Sequence, residues 1–582
     1  MGEYFGLIKK NSKNTSKEKA KKIPKWYNGD MFLRHKKSLF VFIFLFIISF
    51  IFSFDLLVNK GQPTTFDGPT HLTNIAQFYR AIKDGDILPR WSDGFANYGM
   101  PIPLIAQQST SYLGALFNFI FHNIIFSYNV VVLVGAFLSV LFFYFFLRLH
   151  TNIRGALLGV FLFHLAPYRI LNIYIRGAVP EFFAGVFFPL VLIALYKWIK
   201  EEKKQGLFVL VIAISGLLLT HPFTLVIYSF FFVPYTIYLL HKRKNIPLKL
   251  GLLGMFGLLG IGLAAYYIVP LFLELKYFYY GTGNRFLPDQ YLRLASYISP
   301  MWYYFYHEDI GTRGHFIMFG LIESVILIII TVITVIRTIR GKSIDMLLGL
   351  TVLIGWIMIF MTSRFAVPIY EHISILGKIQ HSWRMMSLFI YITPILVAIY
   401  SKNWNKWIIV GFIIIIAVLR FPQLYGKNYT LKPESNYFFT KENLHGEVLN
   451  IVWTGKTETY PVKSQKPEII AGKGIIKEKE VHNSWRKYLI QADEKIRMVD
   501  YTFYFPGWKV YVDGAPTIIE FQDMNYRGVI TYYVPPGVHS ILVKFEDTKV
   551  RMLGDVISLT SFVLFILLFF LRKKFGASKF LF

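Results

Sequence analysis

No cysteine occurs anywhere in the chain. Disulfides, thiolate nucleophiles and cysteine-ligated metals are therefore excluded, whatever the redox state of the compartment. Charge is also scarce: Asp, Glu, Lys and Arg make up 16% of the 582 residues, and 34 acids face 62 bases. In a soluble protein the resulting net charge of +28 would point to nucleic acid. Here the bases flank apolar runs, where the orientation of membrane spans accounts for them, so no nucleic-acid partner is expected. What the chain does have is apolar residues, 54% of the total, gathered in blocks such as SLFVFIFLFIISFIFSF (38–54). A run of that length approaches the ~20 residues that cross a hydrocarbon core. The composition is that of a polytopic α-helical membrane protein.

Eleven Lys and Arg lie in residues 1–37. This basic segment is read as cytoplasmic, with the first helix leading outward. No small-residue cleavage site follows that helix, so it is expected to stay in place and not to act as a signal peptide. Eleven more apolar runs follow, at about 129–147, 153–168, 181–198, 207–220, 223–240, 249–273, 316–337, 346–362, 385–401, 405–420 and 555–571. With twelve spans every connection assigned to the cytoplasm is basic, for example KEEKKQ (200–205) and RTIRGKS (337–343). Counting 104–122 as a further span would invert all later loops. That stretch is therefore read as a juxtamembrane or re-entrant element at the outer surface.

The organisation expected is a cytoplasmic segment 1–37, a transmembrane domain 38–420 with a large first external loop 58–128, an extracytoplasmic domain 421–553, and a last span with its tail at 554–582. Both termini are placed in the cytoplasm, in the plasma membrane of a prokaryote. In 421–553 the long apolar runs stop and period-two alternation begins. YTFYFPGWKVYVDG (501–514) ends in a hairpin signal, and RGVITYYVPPGVHSILVKFED (527–547) supplies two strands around Pro-Pro-Gly, which together suggest a β-sandwich-like module. Trp508, Tyr511 and Tyr532 within it suit a core better than a sugar-stacking surface.

The distinctive polar residues fall on the outer face. Arg169 and Arg176 lie in 169–180, and Arg364 and Arg384 in 363–384, although short outer loops normally avoid arginine. An anionic ligand such as a lipid phosphate explains them, as does snorkelling to headgroups. His221-Pro222 lies between two short apolar runs and suits a broken, cavity-lining turn, or equally a histidine that only fills a hydrogen-bonded position. Trp383 suits a prenyl chain, a sugar or the membrane interface. The loop 277–309, rich in tyrosine, suits a mobile gate or an aromatic belt. Asp67 precedes a helix opened by His71 and can cap it. Glu181 follows Pro180 at another helix start, where an acidic cap is ordinary.

Four stretches together carry a resemblance: FDGPTHLTNIAQFYRAIKDGDILPRWSDGFANYGMPIPL (66–104), APYRILNIYIRGAVPEFFA (166–184), LLLTHPF (217–223) and GKIQHSWRMMSL (377–388). They resemble the bacterial membrane proteins labelled 6-pyruvoyl-tetrahydropterin synthase-related, which look like GT-C-type glycosyltransferases. The C-terminal FYFPGWKVYVDG and VPPGVHSILVKFEDTKVRMLGDVIS resemble the end of YfhO-type membrane proteins, also GT-C-like. The family label carries no pterin chemistry here, since no soluble metal site is visible.

The resemblance implies an enzyme that takes a sugar from a polyprenyl-phosphate donor at the outer surface and passes it to a lipid, glycan or protein acceptor. Asp67 then occupies the place of the first-loop acid, as general base or as ligand of a divalent ion such as Mg or Mn, and Glu181 that of the second acid. No acidic pair accompanies Asp67, and no metal-ligand set is assigned. His71 would orient Asp67 or touch phosphate. Arg176 and Arg384, with Arg169 as a third, would hold the phosphate, and His221 and Trp383 would line the substrate site. The competing readings are a lipid or glycan flippase or transporter, and a non-catalytic scaffold that binds envelope polymers. A transporter would carry charges near mid-span, whereas these runs are almost free of them.

Overall fold

Hydrocarbon offers the backbone no hydrogen-bond partners, so apolar runs of this length must close their own bonds as helices. The computed structural model describes residues 36–574, except 97, 280–285, 289–290, 293, 299–318, 441–449 and 462–466. Nearly all of the basic segment 1–37, most of the loop 277–309 and the tail after 574 lie outside the described residues. Among the described residues nine helices are long and apolar enough to cross a membrane, or eleven if each of two bent pairs is one span.

In chain order, α1 (Lys36–Val58) is followed by two helices of the first loop, α2 (Gly68–Lys83) and α3 (Gln108–Phe121). Next come α4 (Ile124–Arg148), the bent pair α5 (Ile153–His164) and α6 (Pro167–Tyr174), α7 (Val179–Lys200), α8 (Gln205–Thr220) and α9 (Pro222–Leu240). The remainder are α10 (Ile246–Leu263), α11 (Ala265–Leu273), α12 (Leu321–Ile339), the bent pair α13 (Met346–Thr362) and α14 (Arg364–His372), α15 (Ser382–Asn403), α16 (Lys406–Gln423) and α17 (Lys549–Lys574). Among the described residues each of the twelve expected runs contains helix, although α8, with 16 residues, is short for a span. The 42° bend between α5 and α6 falls where Pro167 opens α6 and Ala166 before it is extended, as proline requires of its predecessor. The stretch 104–122 contributes the 14-residue α3, which lies against α2. A Cβ on Gly114 would stand 2.4 Å from the Ile75 side chain, so the two helices touch there.

Between α16 and α17 eight strands form two antiparallel sheets. One has the order β1-β4-β7 (Glu468–Ala471, Ile496–Phe503, Val529–Val534). The other has the order β2-β3-β8-β5-β6 (Gly474–Val481, Trp485–Ala492, Gly537–Phe545, Trp508–Val512, Ala515–Thr517). Asp513 and Gly514 both take positive φ, 50° and 84°, and close the β5–β6 hairpin as the sequence signal requires. The strands on either side of Pro535-Pro536-Gly537 do form, but they enter different sheets, so this turn links the two layers. Trp508 and Tyr532 are buried in the core between the layers, while Tyr511 is half-buried and donates to Glu546 at 3.1 Å.

The first loop is fastened to this module. The Asn483 backbone N–H donates to the Asp84 carboxylate at 2.6 Å, and the Asn483 side chain donates to Asp86 at 2.8 Å and to the Trp91 carbonyl at 3.0 Å. Trp91 meets Trp508 edge to face, and Gln62 bridges to Thr430. Inside the module Asp500 is wholly buried, accepts from Tyr488 and Thr502 at 2.7 Å each, and lies 3.4 Å from Arg486. Removing one partner of a buried pair strands the other charge, so Asp500→Ala should destabilise the module by about 3–5 kcal/mol. Limited trypsinolysis over a temperature series reads this as earlier cleavage within 467–546. Unchanged cleavage would show that the pair carries no such weight.

Candidate functional site

Two glycine-containing turns that are far apart in sequence lie against each other. The Asp67 N–H donates to the Arg176 carbonyl at 2.6 Å, and the Phe66 N–H to that of Ile175 at 3.2 Å. Gly177 has φ +68°, and a Cβ there would come within 2.6 Å of the Gly68 nitrogen. No side chain larger than hydrogen fits between the two strands of chain. This is the physical reason for glycine in IRGAVPE, whereas in FDGPTH a Cβ on Gly68 would meet the side chains of Thr65 and Gln62, at 2.2 and 2.6 Å.

Asp67 stands at the N-cap position of α2, yet its side chain makes no capping bond. Its carboxylate, close to half exposed, instead approaches Arg176 at 3.5 Å. Arg176 is buried and donates to Asn172 at 2.7 Å and to Glu181 at 2.9 Å, with its guanidinium 4.7 Å above the Trp383 ring. Burial works against its charge, but Glu181, Tyr168 and Asp67 outweigh burial and raise its pKa, so it stays charged. Glu181 is buried in the first turn of α7. One of its oxygens accepts from the Tyr168 hydroxyl at 2.5 Å, the other accepts from Arg176 and lies 4.0 Å from Arg384 Nε. Glu181 is thus a fully engaged ion-pair member and not an exposed helix cap.

Arg384 donates to the Ile379 carbonyl at 3.0 Å, while its Nε and the neighbouring Trp383 Nε1 are buried with no hydrogen-bond partner among the described residues. His221, at the break before α9, shares a 2.6 Å bond with Thr224. Burial lowers its pKa to about 4; Glu181 opposes that shift, and Arg384, Arg176 and His71 add to it. His71, half-buried one turn beyond Asp67, is lowered to about 3 by burial first and by Arg176 second. Both imidazoles are therefore neutral near pH ~7.

Asp67, His71, Arg176, Glu181, His221, Trp383 and Arg384 thus come together from four separate segments. Arg169 does not join them. It is almost fully buried among the helices, donates to Ser139 Oγ, and lies under the rings of Phe182 and Phe163 at 4.1 and 4.5 Å. One residue further along a helix is about 100° further round it, so Arg169 turns away from the face that carries Tyr168 and Asn172. Tyr168, Asn172 and Gly177 are the members that the sequence reading missed. Tyr168 and Asn172 share one face of α6, four residues apart, and Arg176 follows at the same spacing in the turn just beyond the helix; that spacing is the signal that points to them.

Among the described residues no three His, Asp or Glu side chains converge as a metal site requires, and each carboxylate of the cluster faces Arg176. These residues do not fit an Mg or Mn ion held by protein ligands.

Comparison with known proteins gives three findings. The family model described as "6-pyruvoyl-tetrahydropterin synthase related domain; membrane protein" matches residues 110–429, more than half of the chain. An uncharacterized protein of Lactococcus lactis subsp. cremoris (strain MG1363) is 24% identical over 214 residues, which are 35% of this chain and 35% of that protein. The archaeal oligosaccharyltransferase AglB from Archaeoglobus fulgidus, solved with an inhibitory peptide and a dolichol-phosphate, is similar at 13% identity with a TM-score of 0.37, over 68% of this chain and 57% of that one. The chain therefore spans about a third of the length of the curated relative and little more than half that of the solved structure. Asp67 and His71 precede the segment that the family model covers.

The lowered imidazoles have a measurable sign. Between about 3 and 6.5 the unfolded chain binds a proton at His71 that the folded chain refuses, so stability falls as the pH drops through that window. Melting in detergent between pH ~7 and ~5 should therefore lose more for the wild type than for His71→Gln. Equal losses would show that His71 is not held neutral.

Proposed function

The chain belongs to the 6-pyruvoyl-tetrahydropterin synthase related family of membrane proteins, and from the cluster built above we propose that it is a GT-C-type glycosyltransferase. In this reading it moves a sugar from a polyprenyl-phosphate donor to a lipid, glycan or protein acceptor of the cell envelope, at the outer face of the plasma membrane. The observation that carries the proposal is the convergence of Asp67, Arg176, Glu181 and Arg384 at the ends of several spans. The end of α1 leads to Asp67, α7 begins beside Glu181, α8 gives way to α9 at His221, and α15 begins beside Arg384. One end of the bundle thus offers an open carboxylate and, beside it, a cation with spare donors.

The chemistry asks for three things: a base near the acceptor hydroxyl, an aligned anomeric carbon, and positive charge facing the leaving phosphate. Asp67 is the carboxylate with room for an acceptor, and Arg176 fixes its orientation. As the acceptor oxygen forms its bond to the anomeric carbon, the hydroxyl proton passes to Asp67. The sugar–phosphate bond breaks, and its electron pair leaves with the polyprenyl phosphate. Arg384 Nε and Trp383 Nε1 are the donors that face that charge, because Arg176 is already engaged by Glu181. Glu181 and Tyr168 act as positioning residues. His71 and His221, being neutral, serve as hydrogen-bonding groups and not as phosphate cations. The flippase reading draws no support from the cluster, whose charges gather at span ends and pair with one another.

The test is transfer from labelled polyprenyl-phosphate sugars by protein reconstituted in vesicles. Asp67→Asn should lower the rate by about 10²–10⁴-fold with donor affinity retained, the range for a lost general base. Arg384→Gln should weaken donor binding as well. Equal rates for wild type and Asp67→Asn would remove Asp67 as base. Absence of transfer from every donor would remove the reading.

A further inference from the structure

Helix α3 is amphipathic the wrong way round for a helix of a water-soluble domain. It buries Gln108, Thr110, Ser111, Gly114, Ala115 and Asn118, and turns its large apolar side chains outward. Leu116 is 56% exposed and Ile120 62%, with Phe119 and Phe121 also exposed. Beside them Ile87 is 76% exposed, and it is tied to α3 through its carbonyl, which accepts from the Tyr112 hydroxyl at 3.0 Å. A face this apolar, on a helix whose polar groups are turned inward, is stable against hydrocarbon and costly against water. Its neighbours are of the same kind. α3 packs against the spans α4, α7 and α8, and only His122 and Asn123 separate it from α4, whose Phe126 meets Phe121 edge to face at 5.0 Å.

Between α2 and α3 this face opens into a groove of about 480 Å³, lined by Ile82, Ile87, Tyr112, Leu113, Leu116 and Phe119. We propose that the groove holds a hydrocarbon chain of a membrane lipid, which enters sideways from the leaflet that bathes the outward face of α3. The occupant follows from the lining, which offers a chain apolar contact along its length and few groups to a polar ligand, and from continuity with the spans that fix this helix at the membrane. The inference rests on the packing of α2 and α3 and holds whether or not the cluster at the other end of α2 transfers a sugar.

Because the chain has no cysteine, Leu116→Cys, Ile120→Cys and Met524→Cys each place a single nitroxide label, the last on the β module where Met524 is 95% exposed. In full-length protein in phosphatidylcholine–phosphatidylglycerol vesicles, the oxygen-to-nickel collision ratio should be several-fold higher at positions 116 and 120 than at 524. A vesicle phospholipid with a photoactivatable acyl chain should form adducts within 109–119. Leu113→Trp, which projects an indole into the groove and narrows it, should lower that adduct several-fold while leaving the ratio at position 120 unchanged. A ratio equal to that at 524 would put the face in water, and low collision with both reagents would put protein over it. Either result, or adducts unaffected by Leu113→Trp, would overturn the proposal.

Discussion

The buried pair of Arg176 and Glu181 is what the rest of the cluster hangs on. Either charge alone at that depth would cost several kcal/mol, and together they are tolerated because each finds further hydrogen bonds. Asn172 and Tyr168 supply those bonds, so both turns of α6 and the first turn of α7 are held as one unit. From that unit the guanidinium reaches Asp67 on one side and stacks on Trp383 on the other. The two carboxylates and two guanidiniums of the cluster cancel, and the two imidazoles add nothing. A bound phosphate monoanion or dianion would therefore bring uncompensated charge to the site. The groups not already committed to internal partners are the ones that must answer it, which makes the turn that begins α15 more telling than the total count of arginines.

Much of this could be read from the amino acids before any coordinates. The spans follow from apolar length alone, and the Asp513-Gly514 turn from the need for two consecutive positive φ angles. The grouping of Asp67 with Arg176, Glu181, His221 and Arg384 rested on charge topology and resemblance, and these residues do come together. The fine assignment was less legible, because it depends on contacts across more than a hundred residues. Nothing local tells whether Asp67 caps its helix or turns to Arg176. Arg169 and Arg176 look equivalent as outer-loop arginines, and they part only once α6 is known to run from Pro167 to Tyr174, which leaves Arg169 inside the helix and Arg176 in the turn beyond it. The Pro-Pro-Gly turn was visible as a turn, but whether its strands pair or part into two sheets is decided by the core they enclose.

The family model stops at residue 429, just before Thr430 meets Gln62, and it begins at residue 110, within α3 and well after the part of the first loop that carries Asp67. The parts that flank the shared segment are therefore the parts that bind each other, through Asp84, Asp86 and Trp91 on one side and residues 483–508 on the other. The β module serves as the floor on which the first loop is laid, and through α2 it has a say in where Asp67 stands.

That fastening has a consequence for how the protein is made. Asp84 leaves the ribosome 399 residues ahead of Asn483, its partner. At about 5–20 residues per second the first loop waits for something like 20–80 s before its other half exists, while seven of the nine spans seen among the described residues, or nine with the two bent pairs, are inserted in between. During that interval it must be kept from wrong partners by the helices already in the bilayer, so maturation of the site is timed by the last fifth of the chain.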